Sequence, residues 1–94
     1  MVKSLHTPTY KVFRQVLADT RARLGMTQIE LAMRLGKPQS FVSKFEKGER
    51  RLDVLEFISI CDALGVEPTT LFKTVVGALS EYEASDPDCQ PTLE

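Results

Sequence analysis

The stretch TQIELAMRLGKPQSFVSKFE, Thr27–Glu46, reads as two short helices joined by a tight turn. Thr27-Gln-Ile-Glu30 is a capping box, in which a hydroxyl at the helix start and a carboxylate three residues on satisfy free amides reciprocally. Ile29, Leu31, Ala32 and Leu35 then supply a buried side. Gly36 can take the left-handed conformation that ends the helix. Pro38 falls where a second helix should begin, and its fixed φ suits a first helical turn.

The second helix can be read by angle. At about 100° per residue with Gln39 at zero, Ser43 falls at roughly 40°, Lys47 at roughly 80°, Ser40 at roughly 100° and Lys44 at roughly 140°. Phe41, Val42 and Phe45 fall at roughly 200°, 300° and 240°, on the other side. One face can bury while the other offers amide, hydroxyl and ammonium groups, which suit base edges and phosphates. An ordinary amphipathic helix with a solvated polar face would show the same pattern. Phe41 borders the polar arc, where it either meets a thymine methyl or packs beside Phe45.

The longer stretch LGMTQIELAMRLGKPQSFVSKFEKGERRLDVLEFISICDALGVEP, residues 24–68, resembles the Cro/XRE class of helix-turn-helix regulators, which have the lambda-repressor-like fold. Thr27-Gln28, Leu31-Ala32, Leu35-Gly36, Gln39-Ser40, Ser43-Lys44 and Glu46-Lys47-Gly48 match the family pattern in register. Pro38 departs from it, standing where the family often has a capping Ser or Thr.

The resemblance implies an all-α domain of five short helices that binds double-stranded DNA as a transcriptional regulator. It further implies a repressor acting as a homodimer on a pseudo-palindromic operator. Gln39, Ser40 and Lys44 occupy the positions that face base edges in that family. Gln28 is expected to bond phosphate and to brace Gln39, with Ser43 on phosphate as well. Lys47, Arg50 and Arg51 are expected to add sequence-independent phosphate contacts. Arg21 and Glu46 align with an ion pair that ties the first helix to the end of the recognition helix.

A second class is a protein-interaction module, such as an antitoxin or adaptor, that keeps the fold and has lost DNA binding. The basic first half and the intact polar arc argue against that loss. An enzyme is disfavoured by the lack of a Gly-rich phosphate loop or metal-ligand spacing, and by a single His. No cofactor or metal is expected, and the isolated His6 is given no role.

The bounds agree. Ninety-four residues make one small domain, and 43% hydrophobic with 27% charged residues excludes a disordered chain. No apolar run approaches the roughly 20 residues of a membrane span. MVKSLHTPTYK carries no signal segment, so a cytoplasmic protein is expected. Two cysteines give neither a metal site nor a disulfide framework: Cys61 is expected in the core and Cys89 as a free thiol in the tail. The net charge of −1 hides an asymmetry. Residues 1–51 carry eleven Lys/Arg against four Asp/Glu, a net +7; residues 52–94 carry one Lys against nine Asp/Glu, a net −8. A basic half beside an acidic half is expected when one face meets phosphates.

Outside the central stretch, Thr7-Pro8 can cap and start a first helix whose Phe13, Val16, Leu17, Thr20 and Leu24 repeat at three and four. Asp53-Val-Leu-Glu56 is a second capping box, followed by an apolar stripe of Leu55, Ile58 and Cys61 with Phe57 and Leu64 alongside. Pro68 opens a fifth helix. Leu71, Phe72 and Leu79 are expected inward, leaving Val75, Val76 or Tyr82 to meet a second copy. The domain is placed at residues 8–83, with an acidic, disordered tail over 84–94.

Overall fold

The computed structural model describes residues 8–85. Five helices follow in order: α1 (Pro8–Arg23), α2 (Gln28–Leu35), α3 (Gln39–Lys47), α4 (Val54–Leu64) and α5 (Pro68–Ser85), with no strand among the described residues. Thr7, His6 and Cys89 lie outside the described residues, as does the tail beyond Ser85. The helix continues through Ala84 and Ser85.

Local chemistry sets the helix ends. The Thr27 side chain accepts from the Glu30 amide at 3.0 Å, and Glu30 returns a bond to the Thr27 amide at 3.0 Å. Asp53 and Glu56 close the same reciprocal box on α4, at 2.8 and 3.0 Å. Pro38 is not the first residue of α3 but its N-cap, extended at φ −69° and ψ 157°, with no side-chain cap bond. The missing N–H of proline costs nothing at that end. Its ring meanwhile holds the chain in the turn conformation that leads into Gln39.

Helix α1 packs on α5 and α3, α2 on α3 and α4, and α4 on α5. Phe45, Leu17, Leu31, Ile60, Val42 and Cys61 are the largest fully buried side chains. They come from all of the first four helices, so one core fixes the angle of α3. An aromatic chain runs Tyr10–Phe13–Phe57–Phe72, with ring centroids 5.5, 5.9 and 6.4 Å apart. Burial pushes the Cys61 thiol up to about 11. No helix among the described residues is long and apolar enough to cross a membrane.

Several apolar residues face otherwise than their spacing suggested. Leu24 and Ile29 are exposed. Leu55 is 74% exposed and Ile58 is exposed, while α4 buries Phe57, Cys61 and Leu64 as expected and Ile60 besides. In α5 the phase also shifts: Val75 is 3% exposed and Phe72 56%. Helix α4 is apolar on nearly every side and α5 has a broad apolar side, so periodicity gives neither a unique phase.

Candidate nucleic-acid interface

Val42 and Phe45 anchor α3 in the core, which turns Gln39, Ser40, Lys44 and Lys47 to the exterior and leaves Ser43 half-buried. The exposed groups are an amide, a hydroxyl and two ammoniums along two turns of helix. This face is what the fold holds out.

The carboxylate of Glu46 fixes its orientation. Arg21 Nε donates to Glu46 Oε2 at 2.7 Å and the second guanidinium nitrogen to Oε1 at 2.9 Å, a bidentate pair between α1 and the end of α3. The side chains are 16% and 7% exposed, so the pair is largely out of water. The bond to Glu46 raises the Arg21 pKa; burial opposes it. Arg21 also donates to the Met26 carbonyl at 2.7 Å, which ties down the α1–α2 turn.

Gln28 Nε2 donates to Glu46 Oε1 at 2.9 Å, and Gln39 Nε2 donates to Gln28 Oε1 at 3.3 Å. The order of atoms follows from chemistry. An ionised carboxylate only accepts, so Gln28 must turn its NH2 to Glu46 and its oxygen to Gln39. Gln39 then keeps its own carbonyl oxygen and one N–H for a ligand. The structure thus brings Arg21, Glu46, Gln28 and Gln39 into one hydrogen-bonded chain.

Two further contacts hold the end of α3. Arg14 donates to the Glu46 carbonyl at 2.6 Å, placing a cation at a helix C-terminus. Gly48 closes the helix at φ +84°, where a Cβ would lie 2.7 Å from Arg14 Nε. Arg14 was not singled out from the sequence. It stands seven residues before Arg21, hence on the same face of α1, and that spacing was the available signal.

In the loop after α3 the two expected phosphate-contacting arginines each have a partner within the protein. Arg50 donates to both oxygens of Glu56 at 3.0 and 2.7 Å, and its guanidinium carbon lies 4.8 Å from the centre of the Phe41 ring. The bond from Arg50 holds Glu56 below the usual carboxylate range, helped by the Asp53 amide. Arg50 is thus paired within the protein, and its side chain remains 40% exposed beside α3. Arg51 is exposed and lies 4.8 Å over the Tyr10 ring. The Tyr10 hydroxyl donates to the Arg50 carbonyl at 3.4 Å and accepts from the Leu52 amide at 3.1 Å. Lys37, Glu56 and Tyr10 join the site only in three dimensions. Among the described residues no group of three or more His, Cys, Asp or Glu side chains is placed to hold a metal ion.

Residues 17–71 match the helix-turn-helix family, and the chain belongs to the XRE-type branch of it. It is a DNA-binding transcription regulator with the lambda-repressor-like fold, not an enzyme. Among solved structures it is similar to an XRE-family like protein from Pseudomonas syringae pv. tomato, at 45% identity and a TM-score of 0.72, over 80% of this chain and 92% of that one. It is similar to the restriction-modification controller protein C.AhdI from Aeromonas hydrophila at 32% identity and TM-score 0.61, over 67% and 96% of the two chains. The controller C.Esp1396I, solved as a tetramer with its natural 35 base-pair operator, shares the fold at 21% identity and TM-score 0.74, over 80% and 99%. No functionally curated protein matches the chain.

Proposed function

We propose that this protein is a small cytoplasmic repressor that binds a pseudo-palindromic operator as a homodimer and blocks polymerase at a promoter. The observation that carries the proposal is the outward polar face of α3, its first amide pre-set by the chain from Glu46 through Gln28 to Gln39. Gln39 bonds adenine N6 and N7, and Lys44 donates to guanine O6 and N7. Ser40 adds a hydroxyl on the same face. Gln28 and Ser43 bond phosphate, as do Lys47 and Arg51. A two-fold dimer through α5 places two such helices about 34 Å apart, one turn of DNA. The exposed Phe72 and Val76 favour that face, and the tetramer on DNA solved for C.Esp1396I supports assembly in this fold.

Selection from a random duplex library tests the proposal. A defined sequence with two inverted half-sites is expected, bound more weakly as salt rises. Gln39→Ala or Lys44→Ala should cost about 1–3 kcal/mol and relax preference at one or two base pairs. Arg51→Ala should weaken all sequences alike and lower the salt slope by about one per half-site. If Gln39→Ala and Lys44→Ala change neither affinity nor the selected sequence, α3 does not read DNA and the interaction-module alternative replaces this one.

A further inference from the structure

We infer that Phe41 is a specificity-determining residue that reads the 5-methyl group of thymine, with Arg50 as its positioning residue; the inference rests on the DNA-binding role of α3. Phe41 is half-buried and packs at 70° against Phe45, with centroids 5.6 Å apart. Phe45 is itself fully buried, so it is a fixed wall. Two cations approach the Phe41 ring: the Arg50 guanidinium at 4.8 Å and the Lys37 ammonium at 5.5 Å. They come from opposite ends of α3, the turn before it and the loop after it.

Arg50 cannot swing away freely. Glu56 holds its fork at two points, and Arg50 also donates to the Arg51 carbonyl at 3.0 Å. Glu56 is in turn held by the Asp53 amide at 3.0 Å. Cations sit best over ring faces, where the quadrupole is negative, so Arg50 and Lys37 hold the Phe41 ring in one orientation. Phe41 lies one position from Ser40, and about 60° round the helix from Lys44. It is thus a half-buried apolar ring held beside the polar groups of the same helix. In the major groove the apolar group that a base offers is the thymine methyl. A ring serving the core alone would need no ion-paired arginine fixed from the next helix.

The test uses the selected operator with each half-site thymine replaced in turn by deoxyuridine, which removes only the methyl. Affinities are measured for the full chain and for Phe41→Ala, Phe41→Leu and Arg50→Gln, each checked for native helicity. One replacement per half-site should weaken the wild type about fourfold, the transfer value of a single methyl. Phe41→Ala should lose that discrimination, and Phe41→Leu, which keeps an apolar side chain if the alanine variant fails to fold, should retain part of it. Arg50→Gln should reduce the thymine-to-uracil ratio, and an unchanged salt slope separates that positioning role from a phosphate contact. A half-site without thymine, a wild type indifferent to every replacement, or an unchanged ratio in Phe41→Ala and Phe41→Leu overturns the inference while DNA binding stands. A wild type that selects no duplex instead removes the DNA-binding role and this inference with it.

Discussion

Glu46 accepts from Arg21 and Gln28 through its side chain and from Arg14 through its carbonyl, so one residue joins α1, α2 and α3. Arg21→Ala should destabilise the fold by about 3 kcal/mol in denaturant titration, mostly from the carboxylate left behind. Arg21→Ala with Glu46→Ala should cost less than the sum of the two single changes, since the stranded charge is gone. Gly48 offers a second check at this scale. Gly36 and Gly48 both have positive φ, 68° and 84°, but a Cβ at Gly36 meets nothing within 4 Å. Gly36→Ala should then cost about 1 kcal/mol for the backbone alone. Gly48→Ala should cost at least about 1 kcal/mol more, because Arg14 must be displaced, and Arg14→Ala should remove that excess. The Arg21–Glu46 alignment was visible in the sequence because both positions belong to a long motif in register. Arg50–Glu56 was not visible, because a guanidinium after a helix looks the same whether its partner is a phosphate or a carboxylate six residues on.

Helix starts were the most legible elements, and helix faces the least. Thr27–Glu30 and Asp53–Glu56 each span four residues, so the chemistry that caps the helix is complete within the local sequence. Thr27→Ala or Asp53→Ala should each cost about 1 kcal/mol of stability. The faces of α4 and α5 depend on what packs against them, and their near-continuous apolar runs admit more than one phase. Hence Leu55 and Ile58 lie outside the core that Phe57, Cys61 and Leu64 enter as expected, Ile60 joins it, and Val75 takes the place expected for Phe72. The start of α4 also carries a pH dependence. The folded Glu56 carboxyl titrates below its ordinary value of 4.5, chiefly because Arg50 bonds it. The unfolded chain then binds the proton more readily, so stability rises with pH through that region. The contribution is fully present above the ordinary value and is lost as the pH falls through the lowered one. The stability gap between wild type and Glu56→Gln should therefore be constant near neutral pH and shrink under acid, as urea titrations at a series of pH values would show.

At the scale of the whole molecule, the proposed α5 dimer and DNA binding should respond to salt in opposite directions. The half that carries α3 has a net charge of +7 over residues 1–51, and the half that carries α4 and α5 has −8 over residues 52–94. The proposed dimer through α5 would bury the exposed Phe72 and Val76, but it would also bring two acidic halves together. Apolar burial drives that contact and like-charge repulsion opposes it. Salt screens the repulsion and leaves the apolar term standing. Added salt should therefore tighten the dimer, while it weakens the complex with DNA by removing the gain from counterion release. Sedimentation equilibrium over a salt series, beside operator titrations in the same buffers, measures both slopes. Val76→Asp places a carboxylate on the exposed face without entering the core, so the fold should persist while the dimer is lost; Phe72→Asp should do the same but also gives up the ring contact with Phe57, so its stability is measured alongside. On a two-half-site operator the avidity of the linked pair should then fall on the order of a hundredfold, with the salt slope per half-site unchanged. A wild type that sediments only as a monomer at high micromolar concentration, with and without operator, would rule out this face as a dimer interface.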